Sequence, residues 1–316
     1  MTYAVLFPGQ GSQFVGMGAD LFDARPDLLT ERAEAVLGWS LRRLCLDGPE
    51  EELTRTERAQ PALYALGYAL WEELARELPA PPAAAAGHSL GEYTALAAAG
   101  VLGFEQGLSL VAERGAAMAA AADLEPSGMA ALLGAGLEHA EEVAARRREA
   151  GGRLSVANHN APGQVVVAGA LEDLDWLESA AGSLGLRRVV RLRVAGAFHS
   201  PFMAPAADRV TAALAGLEEG PSAFPVFANV SARLMPAGET ADLLARQVVS
   251  PVRFAESLAA MAAAGVGAFV HVGPGDVTAG MARRAAPGAR ILVVDSLQAV
   301  GPARETLSTM SGPEGT

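Results

Sequence analysis

The sequence predicts an α/β protein of two unequal parts, a parallel sheet wrapped by helices and a smaller β-α-β-β-α-β unit set into it. Three observations carry this. A short apolar run at residues 3–7 ends in Pro8-Gly9-Gln10-Gly11-Ser12, which reads as a buried strand followed by a glycine loop. A second run, 83–87, leads into Gly87-His88-Ser89-Leu90-Gly91 and a helix-like stretch over 91–100. Strands alternating with helices indicate parallel pairing. From Gly128 the texture changes to short strands separated by amphipathic helices.

Taken in order, helical patterns follow the first strand through about Glu77, including 61–78, and Leu78-Pro79-Ala80-Pro81-Pro82 reads as a turn. Beyond the second strand and its helix, 129–133, 154–157 and 164–168 read as strands. Residues 137–150 and 171–184 read as helices, and 188–194 as a strand alternating basic and apolar residues. That order is the split-βαβ or ferredoxin-like arrangement. It places a small domain at 126–194, inserted into a larger one formed by 1–125 and 195–300. Residues 257–275 carry no formal charge but are rich in Ala and broken by Gly265 and Gly267, so they read as helix, turn and strand rather than a membrane span. Residues 301–316 are short of large apolar side chains and are expected to form a flexible tail.

Composition narrows the function. Hydrophobic residues make up 51% and charged residues 19%, which excludes global disorder. The 316-residue length suits one large domain or two unequal ones. The formal net charge of -12 argues against nucleic acid as the main partner, since phosphate binding needs a positive field. All 24 basic residues are Arg. The single cysteine, Cys45, can form neither an internal disulfide nor a thiolate metal cage. The first nine residues lack the charged and apolar regions of a signal peptide. A soluble, cytoplasmic protein is expected, with no membrane association and a monomeric state.

The sharpest chemical signal is Gly87-His88-Ser89-Leu90-Gly91, a G-x-S-x-G pattern between a strand and a helix. In a nucleophile elbow the glycines allow a tight turn that presents the serine hydroxyl, and the helix aims N–H groups at developing negative charge. The alternative is a glycine-rich turn carrying an ordinary serine. A serine nucleophile needs a base. Of five histidines, His88 sits inside the elbow, His139 in a charged helix that would leave it solvated, His159 in an Asn158-His159-Asn160 loop, and His271 in an apolar run that suits a satisfied core histidine. His199 lies in a loop after a strand, where α/β enzymes keep catalytic groups, and is modestly favoured.

Two further features carry alternatives. Gly9-Gln10-Gly11-Ser12-Gln13 lacks the Lys of a phosphate loop and the third Gly of a dinucleotide loop, so it is either a plain turn or a source of oxyanion-binding N–H groups. Arg114 lies on a largely apolar helix. A surface salt bridge with Glu113 or Asp123 is the simpler reading; a bidentate clamp on a substrate carboxylate is the other.

The combination is more specific than its parts. In one order the chain carries Phe7-Pro8-Gly9-Gln10-Gly11-Ser12-Gln13, Ala59-Gln60-Pro61-Ala62, Gly87-His88-Ser89-Leu90-Gly91-Glu92-Tyr93, and Arg114-Gly115 with Met118. Asn160 with residues 164–169, Gly196-Ala197-Phe198-His199-Ser200-Pro201, Gln247 with Pro251-Val252-Arg253-Phe254, and Val272-Gly273-Pro274-Gly275 follow. Together these closely resemble malonyl-CoA:acyl carrier protein transacylases of fatty acid synthesis and the discrete, trans-acting acyltransferases of polyketide synthases. The resemblance spans residues 3–295.

The resemblance implies an α/β-hydrolase-like large domain carrying a ferredoxin-like small one. It implies Ser89 as nucleophile, His199 as its base, and the Gln247 backbone carbonyl as the group orienting His199. The oxyanion hole would be the N–H groups of Gln10 and Leu90. Arg114 would hold the free malonyl carboxylate, with Gln60, Met118 and Asn160 lining the pocket. Phe198, before the histidine, goes with malonyl rather than a branched extender, because its ring fills the space an α-substituent needs. The resemblance implies a ping-pong transfer from malonyl-CoA to an acyl carrier protein, with the CoA thioester as substrate and no metal or other cofactor.

Such a carrier is usually acidic, so a local basic face is expected from Arg187, Arg188, Arg191, Arg193, Arg283 and Arg284. The alternatives are an acyl hydrolase acting on carrier-bound chains, an acyltransferase for a substituted malonyl unit, a non-catalytic scaffold, and a generic carboxylesterase. Arg114 favours transfer over hydrolysis, and intact Ser89, His199 and Arg114 argue against a scaffold. An esterase would want an acidic triad member.

Overall fold

The computed structural model describes residues 2–78 and 80–311. Met1, Pro79 of the expected turn, and 312–316 of the expected tail lie outside the described residues. Ten strands occur among them: β1 (Thr2–Phe7), β2 (Ala84–Gly87), β3 (Ser127–Leu133), β4 (Leu154–Ala161), β5 (Gln164–Ala170), β6 (Arg188–Arg191), β7 (Val226–Ala228), β8 (Arg233–Leu234), β9 (Val266–Val272) and β10 (Arg290–Val294).

The larger sheet has the order β10-β9-β1-β2-β7-β8, with every pairing parallel except the β7–β8 edge. β1 sits at its centre, and Ala4, Val5, Leu6 and Phe7 are fully buried, as a parallel strand covered on both faces requires. The helix Thr56–Glu77 lies against this core through Leu63, Tyr64, Leu66, Leu70 and Leu74. It begins before Pro61, which stands inside the helix. The proline removes one backbone bond near the start of a 22-residue element whose buried face offsets the loss.

The smaller sheet is antiparallel throughout, in the order β4-β5-β3-β6, with the helices Leu137–Glu149 and Leu171–Ala180 in its two crossovers. That is the split-βαβ order expected from the sequence. β6 stops at Arg191 instead of running to Val194, because its pairing with β3 ends at Ala130–Arg191. β4 continues past Ala157 to Ala161, so His159 stands in a strand rather than a loop. There its N–H donates to the Val252 carbonyl at 2.9 Å, tying β4 to the larger part of the chain.

The expectation of a flexible tail over 301–311 is corrected. The helix Val300–Ser311 forms there, with Ala303 and Leu307 buried, and packs against β1, β10 and the helix Thr56–Glu77. Small and apolar residues four apart supply the buried stripe, and Pro302 falls in the first turn, where no intrahelical bond is lost. His139 is also corrected: its Nε2 is 2.8 Å from the Leu184 carbonyl, so it bonds across the small domain instead of facing solvent alone. His271 is the satisfied core histidine expected, held between Thr278 Oγ1 at 2.5 Å and the Gly273 carbonyl at 3.0 Å. No helix among the described residues is long and apolar enough to cross a membrane.

Candidate active site

Ser89 stands at the turn between β2 and the helix Gly91–Ala98 with φ 53, a left-handed conformation that costs a serine energy and is kept where the surroundings impose it. Both flanking glycines are required by close approach. A Cβ on Gly87 would lie 1.8 Å from the Gly91 carbonyl, and one on Gly91 would lie 2.3 Å from the Phe7 carbonyl oxygen. The turn is therefore a strand–elbow–helix, not an ordinary glycine-rich loop.

The elbow faces His199, which is buried and also has positive φ, 58. Ser89 Oγ lies 2.7 Å from His199 Nε2, and His199 Nδ1 lies 2.9 Å from the Gln247 carbonyl oxygen. A carbonyl only accepts, so Nδ1 carries the proton and Nε2 accepts from the serine hydroxyl. Burial, then the nearby Arg114 charge, push the His199 pKa down to about 3, which keeps the ring neutral. A neutral imidazole bonded to a serine hydroxyl can remove its proton as the oxygen attacks an acyl carbon.

Arg114 is 1% exposed, which rejects the surface salt bridge. Its Nη1 donates to Gln60 Oε1 at 2.5 Å, and its Nη2 to Ser89 Oγ at 2.9 Å and Gln247 Oε1 at 2.8 Å. The acceptors are two neutral amides and a hydroxyl. Its Nε has no hydrogen-bond partner among the described residues, and the guanidinium lies over the Tyr93 ring at 5.6 Å. A buried guanidinium held by neutral acceptors retains a charge that an incoming carboxylate can satisfy.

Ser89 and Arg114 open onto a cleft of about 330 Å³ between the two sheets. Gln10, Gln60, Leu90, Met118, Asn160 and Phe198 all line it. Gln60 Nε2 also contacts Met118 Sδ at 3.6 Å, and Asn160 Oδ1 lies 2.7 Å from His88 Nε2. The Gln10 side chain donates to Thr56 Oγ1 at 3.3 Å, while among the described residues no acceptor takes the Gln10 or Leu90 N–H. Gln247 is fully buried and stands behind this wall.

The sequence assigns no role to two residues of the cluster: Asn229 falls in no motif, and Glu92 falls at the end of the elbow motif. Asn229, in the loop after β7, accepts from the Ser89 N–H at 2.8 Å and donates to the Gly87 carbonyl at 2.8 Å. Glu92, fully buried, accepts from the Asn229 N–H and from Gln247 Nε2. Of the arginines expected to form a basic face, Arg193 lines the cleft and Arg284 donates to Gln164, which also lines it. Arg191 turns to Asp175 and Glu178, and Arg283 lies 3.8 Å from Asp276. Arg187 and Arg188 are exposed.

Comparison with known proteins shows the family. The acyl transferase domain model matches residues 4–298. The malonyl CoA-acyl carrier protein transacylase of Bacillus subtilis is 38% identical over 309 residues, covering 96% of each chain. A polyketide biosynthesis malonyl CoA-acyl carrier protein transacylase of Bacillus velezensis is 39% identical over 287 residues, covering 90% of this chain and 96% of that one. A malonyl-transacylase solved in complex with its type II polyketide synthase acyl-carrier protein superposes with a TM-score of 0.91 at 36% identity, over 97% of this chain and all of that one. The chain belongs to the acyl transferase domain family, as one of its malonyl-CoA:acyl carrier protein transacylases.

Proposed function

We propose that the protein moves a malonyl group from malonyl-CoA to the phosphopantetheine thiol of an acyl carrier protein, through an ester on Ser89. The observation that carries this reading is the buried guanidinium of Arg114, 2.9 Å from the Ser89 hydroxyl. An acyl ester on Ser89 Oγ with its free carboxylate on Arg114 has the span of a short dicarboxylic acyl group.

In the first half-reaction Ser89 Oγ attacks the thioester carbon while His199 Nε2 takes its proton. The tetrahedral oxyanion accepts from the Gln10 and Leu90 N–H groups; the Ser89 N–H is unavailable because Asn229 holds it. The C–S bond breaks, and His199 returns the proton to the CoA thiolate. In the second half the carrier thiol loses its proton to His199 and attacks the ester carbon. The C–O bond breaks and Ser89 recovers the proton. The Gln247 carbonyl keeps the histidine in the required tautomer throughout. No step calls on a metal or redox group.

Arg114 sets selectivity, since a neutral acyl group leaves a buried charge unpaired. Phe198 narrows the pocket beside the base, and Arg193 and Arg284 at the cleft mouth suit an acidic carrier. The direct test is transfer to a holo acyl carrier protein with malonyl-CoA and acetyl-CoA in parallel. Malonyl transfer with little acetyl transfer is expected; equal transfer of both, or release of free malonate with the carrier left unloaded, would contradict the reading.

A further inference from the structure

The geometry points to Glu92 as a positioning residue, a carboxylate whose ionised form accepts from Asn229 and Gln247 at once and through them holds Ser89 and Arg114 in register. The inference rests on the reaction proposed above.

Glu92 sits in the first turn of the helix Gly91–Ala98, three residues after Ser89, with no solvent exposure. Its Oε1 accepts from the main-chain N–H of Asn229 at 3.2 Å, and its Oε2 from Gln247 Nε2 at 2.5 Å. Each of these partners touches the reacting groups. Asn229 Oδ1 takes the Ser89 N–H at 2.8 Å, pinning the strained elbow. Gln247 Nε2 donates to the Ser89 carbonyl at 2.8 Å, and Gln247 Oε1 accepts from Arg114 at 2.8 Å. One carboxylate thus joins the support of the nucleophile to the support of the guanidinium.

The donor inventory explains why the residue is a glutamate. Both partners present hydrogens: one is a backbone N–H, and the other is an amide nitrogen already committed to the Ser89 carbonyl. Position 92 must therefore offer two acceptors on two different atoms. An ionised carboxylate does; a glutamine of the same shape offers one acceptor and one donor, so one contact becomes donor against donor. Burial pushes the Glu92 carboxyl up to about 7, so the fold keeps this group against a desolvation cost. Such a cost is borne where the charge has a task, here orientation rather than contact with substrate.

The test compares Glu92→Gln, which preserves shape, with Glu92→Asp, which preserves two acceptors on a shorter stem. The readout is the rate of malonyl-enzyme formation in each full-length variant, with thermal melting as the check on folding. Glu92→Gln is expected to lose about tenfold or more, and Glu92→Asp to stay within about threefold of wild type. A space-filling role gives the reverse order, and Gln at or above Asp overturns the inference. If Glu92→Gln does not fold, Glu92→Asp alone decides, and a loss of about tenfold there overturns it. Failure of the wild-type protein to form a malonyl-enzyme would instead remove the proposed reaction itself.

Discussion

Arg114 Nη2 donates to Ser89 Oγ at 2.9 Å while the same oxygen lies 2.7 Å from His199 Nε2. The guanidinium proposed to select the substrate and the hydroxyl proposed to attack it are in direct contact. Selection and attack are thereby set within one carboxylate's length of each other, as a three-carbon diacid requires.

Arg114→Ala removes the charge that only a carboxylate can satisfy. The kcat/KM for malonyl-CoA is expected to fall by about 100-fold or more, the scale of losing one partner of a desolvated ion pair. Turnover of acetyl-CoA is expected to hold or rise. Steady-state kinetics with both thioesters check this, and an unchanged malonyl preference would take Arg114 out of substrate binding.

Phe198 is 6% exposed and lines the cleft next to His199. Phe198→Ser opens space beside the base, so methylmalonyl-CoA should become a substrate while malonyl-CoA remains one. Competition between the two thioesters, read by mass on the enzyme, measures the shift; an unaltered product ratio would show that the pocket is closed by another residue.

Leu307 is 1% exposed on the helix Val300–Ser311. Leu307→Ala should cost about 2–4 kcal/mol of stability, as large-to-small changes in a packed site do. Chemical denaturation measures it. A loss near zero would mean the helix contributes no packing.

Much of this was legible in the sequence, and the boundary is physical. Ser89 and His199 are legible because each needs local company: glycines that permit the elbow, and a loop at a strand end. Arg114 is not legible from its helix alone, where a surface salt bridge with Glu113 or Asp123 is the simpler reading, and only the ordered set of motifs points to its role. The split-βαβ order is legible because its strands and helices alternate with clear periods. Asn229 has no such company, and Glu92, although it falls within the motif over 87–93, has nothing beside it that shows its partner. Glu92 looks like an ordinary first-turn acid, and its partner Asn229 lies 137 residues away, so their link exists only after the sheet assembles. The terminal helix was hidden by Gly301 and Pro302 at its start, and by a buried face made from only a few residues such as Ala303 and Leu307. β7 and β8 are three and two residues long, too short to show any period.

Stability should fall in mild acid. Burial lowers the pKa of His88, His199 and His271 from the ordinary value of 6.5, His199 to about 3. Below pH 6.5 the unfolded chain therefore binds protons that these three folded histidines refuse, and stability drops by up to about 1.4 kcal/mol per pH unit for each. Glu92 works in the opposite direction: raised from 4.5 to about 7, it takes up a proton in the folded state within that window and offsets one histidine. The net sign is loss of stability between pH 6.5 and 4.5. Thermal melting across that range checks it; a constant or rising Tm on acidification would contradict the buried, neutral state of the histidines.

The most direct measurement is the intact mass of the protein after brief mixing with malonyl-CoA and then with a holo acyl carrier protein, alongside Ser89→Ala. The expected result is a malonyl adduct on the wild-type chain that disappears as the carrier gains the same mass, with no adduct on Ser89→Ala. An adduct on Ser89→Ala, or one that decays to free malonate while the carrier stays unloaded, would contradict transfer through Ser89.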